Sequence, residues 1–158
     1  MSLLENLKAL HARDDKNYAP FMIDDTLVGY IREDNAEYVV DAFPDVFQLR
    51  NKEIELNPGL TGFSSRSDAL KAVAQKLEAD KKIAYPLKYE PFPVVTDWGE
   101  KPLMEIDRAV TPFFGLRTFG IHVNGYTYRD GEMHVWLGRR GAGVKVWPGK
   151  LDQMVAGG

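Results

Sequence analysis

The sequence predicts an α+β fold, and three observations carry that assignment. Apolar residues recur at helical spacing in two stretches, Leu3, Leu4, Leu7 and Leu10 near the start and Leu70, Val73, Ala74 and Leu77 further on. Other short runs alternate apolar and polar residues around turn-forming pairs such as Asn51-Lys52 and Asp130-Gly131, as strands of hairpins do. A proline-rich stretch with no clear period separates the helical half from a strand-rich end.

Taken in order, residues 2–13 form an amphipathic helix through their leucines, with His11 near its end. FMIDDTLVGYIRED reads as short strands around Asp24-Asp25, with Leu27, Tyr30 and Ile31 as apolar contacts. Asp34 or Asn35 caps a helix through residues 36–42, stopped near Pro44. FQLRNKEIEL is a hairpin closed by Asn57-Pro58-Gly59. Ser64 or Ser67 starts the clearest helix, which fades at Asp80; these serines and Ser65 are read as helix caps. Residues 85–102, carrying Pro86, Pro91, Pro93 and Pro102, are extended and irregular. Leu103 to Ile106 form a strand, and Asp107 caps a helical turn before Pro112. A boundary falls between Thr111 and Leu116. Beyond it, two strands meet at Asp130-Gly131, with Arg129 beside Glu132 and Thr127 beside His134. Carried further, that register sets His122 opposite Arg139 and Asn124 opposite Leu137, unless a bulge at Gly125 or Gly138 breaks it.

Composition narrows the function classes. The 158 residues are 44% hydrophobic and 27% charged, ordinary for a globular chain, and no apolar run is long enough to span a bilayer. The first residues do not form a secretory signal. Absence of cysteine excludes disulfides, thiolate catalysis and Cys-based zinc sites, and fits a reducing, cytoplasmic setting. A net charge of −3 argues against a nucleic-acid polymer as partner. The acids concentrate early, whereas Leu137 to Leu151 carries Arg139, Arg140, Lys145 and Lys150 and no acid. Such a local cationic cluster suits a small anionic ligand, or else is a solvated loop.

Among side chains, the arginines are the best candidates for chemistry, because a guanidinium presents a planar fork that matches phosphate oxygens. Neighbouring strand positions face opposite ways, so one of the two enters a site, and Arg139 is the first choice. His122 either contacts a ligand or packs with its nitrogens satisfied. Lys150 and Asp152 either touch substrate or fix the turn at Pro148-Gly149. Asp14-Asp15, Asp24-Asp25 and Glu53/Glu55 are read as solvated turns and caps, and no histidine pair has metal-ligand spacing. Trp98, Phe113, Phe114, Tyr126 and Trp147 either stack on an aromatic ligand or pack in a core.

Four segments carry a family resemblance: RAVTPFFGL, FGIHVNGYTY, WLGRR and PGKLDQMVAGG. They resemble Nudix proteins related to the N-terminal part of some thiamine pyrophosphokinases, in which a domain of unknown function precedes the hydrolase box. The match is best from Arg108 to Gly158. It implies a small α+β domain over residues 1–113, then the first strands of a Nudix α/β/α sandwich with a mixed sheet over residues 114–158. Gly158 corresponds to the glycine that opens the box, so the chain is expected to be the front portion of a longer hydrolase and inactive alone. The implied parent cleaves a diphosphate linkage in a nucleoside-diphosphate-like or thiamine-diphosphate-like substrate with Mg²⁺ or Mn²⁺. Substrate contacts are then expected from Arg139, Arg140, His122, Lys150 and Asp152, and a metal contact from the backbone carbonyl of Gly157. The alternative is a non-catalytic module that recognises substrate or forms a homodimer through exposed strand edges.

Overall fold

Asp24 and Asp25 both take left-handed backbone, φ 46° and 60°, as the centre of a two-residue hairpin turn requires. They fold β1 (Tyr18–Ile23) onto β2 (Thr26–Arg32) in antiparallel register, with a bulge between Phe21 and Met22. Asn51 and Lys52 repeat the device at φ 51° and 67°, joining β3 (Phe47–Arg50) to β4 (Glu53–Leu56). The computed structural model describes residues 2, 4–6, 8, 15–144 and 147–157, which cluster into two units, Met1–Arg117 and Thr118–Gly158.

The first unit holds a four-stranded mixed sheet, ordered β2-β1-β4-β3, in which β1 and β4 run parallel. Between β2 and β3 lies α1 (Glu33–Ala42). It starts earlier than the sequence suggests, and no side chain caps it; Asp34 instead holds the Arg32 guanidinium at 3.0 Å and the Asn35 amide at 3.0 Å. The longest helix, α2 (Gly62–Ala79), buries the expected stripe of Leu70, Val73, Ala74 and Leu77. Its serines do not cap it: Ser65 and Ser67 donate back to the Thr61 and Phe63 carbonyls at 2.7 Å each. Residues 4–6 and 8 of the expected first helix are helical, and Ser2 and Glu5 form a reciprocal capping pair at 3.2 and 2.6 Å. Leu3, Leu7, Leu10 and His11 lie outside the described residues.

The proline-rich stretch is less irregular than its composition suggests. Pro91–Val94 forms β5, paired with β6 (Met104–Asp107). Prolines at alternate positions remove amide hydrogens from one edge only, so the strand still pairs on the other. As expected, Asp107 caps the turn after β6, accepting from the Ala109 amide at 2.8 Å.

The core joins both halves of this unit. Phe21, Phe47 and Phe114 meet with ring centroids 5.4 to 5.9 Å apart, each pair worth about 0.5–1.5 kcal/mol beyond simple burial. Phe114 belongs to a strap, residues 111–116, bound to β2 by the Tyr30 amide donating to the Gly115 carbonyl at 3.2 Å and by a bridge between Gly29 and Leu116. Phe113, Phe114 and Leu116 are buried, so the strap is part of the first unit's core and the second unit begins at Thr118. Two polar ties complete the unit. Arg66, only 7% exposed, donates to the Leu60 carbonyl at 3.0 Å and pairs with Asp24. The Tyr38 hydroxyl donates to Asp80 at 2.5 Å, and Lys76 and Lys82 flank the pair.

In the second unit, Asp130 (φ 53°) and Gly131 (φ 81°) turn β8 (Tyr126–Arg129) into β9 (Glu132–Val135). Arg129 pairs with Glu132 and Thr127 with His134, the expected register. Three further short pieces are β7 (Ile121–Val123), β10 (Gly138–Arg139) and β11 (Leu151–Asp152), followed by β12 (Val155–Gly157). Antiparallel pairs join β10 to β11 and β7 to β12. Among the described residues no helix is long and apolar enough to cross a membrane.

Candidate functional site

The cationic stretch of the sequence lies in the second unit, which holds five basic residues (Arg129, Arg139, Arg140, Lys145, Lys150) against three acids (Asp130, Glu132, Asp152). Its geometry is set by a splayed hairpin. The β8–β9 ladder continues as far as the Trp136 amide, which donates to the Gly125 carbonyl at 2.9 Å. Beyond that point the two strands part, and residues 151–157 return to pair with each in turn.

This overturns one expectation: His122 does not face Arg139. Ala156 stands opposite His122, and Leu151 opposite Arg139. The physical reason is visible at Gly125, where a Cβ would meet the Met154 sulfur at 2.7 Å. The missing side chain lets Met154 lie there as the returning segment passes. Gly138 serves the same end, since a Cβ would sit 3.1 Å from the Gln153 carbonyl oxygen.

The returning segment brings a different set together. The Arg140 guanidinium donates to the Asp152 carboxylate at 2.6 Å, and the Gln153 amide donates to its other oxygen at 2.9 Å. Chiefly through the Arg140 hydrogen bond, then the Gln153 amide, the Asp152 carboxyl is held below its ordinary value; the charges of Arg140 and His122 add to this, against partial desolvation. His122 thus lies within electrostatic reach of Asp152 although it is not paired with Arg139. Arg139 donates from its guanidinium to the Gly149 carbonyl at 2.9 Å. The Arg140 backbone clamps the same turn, its amide donating to the Lys150 carbonyl at 2.9 Å and its carbonyl accepting from the Gly149 amide at 3.0 Å. Trp147 (φ 53°) and Gly149 (φ 70°) bend the chain there. The Lys150 side chain is exposed, as is Arg139, whereas Arg140 and Asp152 are half-buried. Lys145 lies outside the described residues.

Chemically, solvent-facing cations of this kind are suited to an anion. Arg139 and Lys150 present charge to solvent, while Arg140 is engaged by Asp152. A divalent metal is poorly served by the same residues. Asp152 is paired with Arg140, its oxygens already accept hydrogen bonds, and hard dications want several oxygen ligands. Among the described residues no group of three His, Cys, Asp or Glu could hold a metal. Gly157 sits opposite Ile121 with its carbonyl oxygen beside Gly120.

Burial separates the two units sharply. No described residue after Leu116 is buried, and Ile121, Val123, Tyr126, Tyr128, Met133, Val135, Leu151 and Val155 are all exposed. Trp147 and Tyr126 are therefore not core residues; Phe113 and Phe114 are. Sequence reasoning missed Arg66 and the Tyr38–Asp80 pair, whose partners lie 42 residues apart in each case and leave no local pattern.

Against known proteins, the family model described as a domain of unknown function, DUF4743, matches residues 1–118. Nudix hydrolase 24, chloroplastic, of Arabidopsis thaliana is 36% identical over 143 residues, covering 89% of this chain and 39% of that protein. Nudix hydrolase 20, chloroplastic, of the same plant is 33% identical over 150 residues, covering 89% of this chain and 40% of its own length. An uncharacterized protein of Saccharomyces cerevisiae is 28% identical over 120 residues, 75% of this chain and 35% of that one. The chain thus spans about two fifths of the length of the two plant relatives, 39% and 40%. Coverage of 89% of 158 residues, about 141, exceeds the 117 residues of the first unit, so both plant matches run into the second.

Proposed function

We propose, from the premise that the chain belongs to the DUF4743 family, that it is the front portion of a Nudix-type hydrolase, with a DUF4743 unit ahead of strands that contribute a diphosphate-binding surface. The observation that carries this reading is the 36% identity to a protein named Nudix hydrolase 24, which continues past the DUF4743 unit into the cationic strands. The substrate class is a nucleoside-diphosphate-like or thiamine-diphosphate-like molecule, and no nucleic-acid polymer or membrane takes part.

On this reading, roles fall to residues of the second unit. Arg139, exposed at the end of β10, and Lys150, exposed at the end of the turn that leads into β11, contact phosphate oxygens. Arg140 and Asp152 position that turn through their ion pair, and His122 adds positive charge when protonated. The described carboxylates do not fit a Mg²⁺ or Mn²⁺ ion; of this chain the Gly157 backbone carbonyl is the ligand that would be offered to one, and such an ion would supply neutralisation of phosphate charge. The glutamate spacing of the Nudix box (glycine, five residues, glutamate, seven residues, Arg-Glu) occurs nowhere within these 158 residues. The chain by itself therefore binds but does not cleave. A cysteine-free composition is in keeping with a reducing compartment such as the cytoplasm.

The test is a phosphate-release assay on the purified 158-residue chain with Mg²⁺ and a nucleoside diphosphate. No release above the buffer rate is expected, and Mg²⁺-dependent release contradicts the reading. A second reading, a non-catalytic recognition or dimerisation module, draws support from the exposed apolar strands of the second unit. Light scattering and a diphosphate titration, with and without Mg²⁺, separate the two: a dimer that binds no diphosphate favours the module.

A further inference from the structure

We infer that the first unit carries a binding site for a planar aromatic ligand, of one or two fused rings, that bears a basic nitrogen. The site is a groove of about 310 Å³ between α2, β6 and the chain leading into β5, at the lower end of the range of small-molecule pockets. Lys71 and Gln75 line it from the helix, Leu87, Tyr89 and Pro91 from the facing segment, and Glu105 from β6.

Tyr89 is the distinctive feature. It is 81% exposed and left-handed at φ 56°, a conformation that a bulky aromatic residue rarely adopts. The neighbourhood fixes it there. The Asp107 carboxylate accepts from the amides of Lys88, Tyr89 and Ala109 at 3.1, 2.6 and 2.8 Å. Glu90 is held in turn, its carbonyl accepting from the Arg108 amide at 3.0 Å and its carboxylate from the Arg108 guanidinium at 3.0 Å. A strained residue persists only where its surroundings over-determine it. Here the result is an exposed aromatic residue on the groove's lining, its backbone held in place by Asp107.

Charge selects the ligand. Asp68 and Glu105 line the groove with Lys71, and among the described residues neither acid has an ion-pair partner. The Asp107 carboxylate is already engaged by amides, yet adds its negative charge. Carboxylates thus outnumber the single lysine around an apolar floor of Ala74, Leu87 and Ile106. That combination favours a flat ring stacked on Tyr89 with a cationic nitrogen towards Glu105.

The inference uses no residue of the second unit and does not rest on the diphosphate reading. Three probes share one ring and differ in charge: tryptamine, indole and indole-3-acetate. Each is titrated into the full 158-residue chain and followed by amide NMR shifts. Tryptamine is expected to shift amides of 67–75, 87–89 and 105–107, and to bind about tenfold more tightly than indole-3-acetate, with indole between. Tyr89→Gly suits the left-handed backbone while deleting the ring, and is expected to lose about tenfold in tryptamine affinity. Glu105→Gln, at an exposed strand position, is expected to narrow the cation–anion difference and keeps the test open should Tyr89→Gly disturb its loop. Shifts that are absent or lie elsewhere, equal affinity for the three probes, or Glu105→Gln without effect on their order would overturn the inference.

Discussion

Replacing Gly115 by alanine separates two costs that are usually confounded. Gly115 has φ +55°, and a Cβ built on it would stand 2.0 Å from the Tyr30 carbonyl oxygen and 2.9 Å from the carbonyl carbon. A side chain in left-handed backbone costs about 1–2 kcal/mol by itself. The collision is with backbone, so relief requires the strap to move off β2 by about 1 Å, weakening the Tyr30–Gly115 hydrogen bond, worth about 1 kcal/mol. The same movement disturbs the Phe114 ring contacts, each worth about 0.5–1.5 kcal/mol. A total of about 3–5 kcal/mol follows, in the range of the most damaging single substitutions. Gly99 is the control: it has φ +82° with nothing within 4 Å of an added Cβ, so Gly99→Ala carries the conformational cost alone. Urea unfolding of the three proteins should place Gly115→Ala at least about 2 kcal/mol below Gly99→Ala, with melting lowered by about 10 °C or more relative to the parent. Equal losses in the two variants would refute the reasoning, because the close approach would then carry no weight.

Three other expectations concern charge. Arg66→Ala leaves Asp24 without its partner and removes a buried hydrogen-bonded cation, and should destabilise by about 3 kcal/mol; Asp24→Asn, at an exposed partner, should cost clearly less in the same denaturation assay. Tyr38 has its pKa pushed up to about 12 from 10.0, first by burial and then by the Asp80 hydrogen bond and charge. A raised folded pKa means that its contribution is complete below pH 10 and disappears as pH climbs towards 12. Tyr38→Phe should therefore flatten that part of the alkaline stability curve, and phenolate absorbance should show one late-titrating tyrosine. Asp152 has a depressed carboxyl, so its contribution is present above the ordinary carboxylate range and fades as pH falls through the lowered folded value. Carboxyl carbon NMR should find it titrating below a model aspartate, and Arg140→Gln should bring it back towards that reference.

Local signals in the sequence were read correctly where the chain itself decides the outcome. Left-handed pairs at Asn51-Lys52 and Asp130-Gly131 make their hairpins, the leucine stripe of α2 is buried, and Asp107 caps its turn. Failures came where partners distant in sequence decide. Register past Gly125 depends on Met154, 29 residues on by the numbering (154 − 125), and no period in the hairpin reveals it. Pairing of the proline-rich β5 needs β6. Phe114 and Leu116 read as the opening of a new element, yet their side chains complete the first core. For the candidate site, residue chemistry points to Arg140 and Asp152, but their ion pair follows from the returning segment, and His122 stands opposite Ala156, within electrostatic reach of Asp152, instead of opposite Arg139. The tyrosine-lined groove was invisible for the same reason: Tyr89 gains meaning only when Asp107 locks its backbone.

The account stands on the claim that Arg139, at the end of β10, and Lys150, beside the turn that follows, bind diphosphate. Calorimetric titration of the 158-residue chain with inorganic pyrophosphate at low salt, repeated with the Arg139→Gln, Lys150→Gln double variant, tests it most directly. Binding in the parent, weakened about tenfold or more by the double variant and reduced by added salt, is the expected result. Equal affinity in both proteins, or no binding in the parent, would contradict the claim.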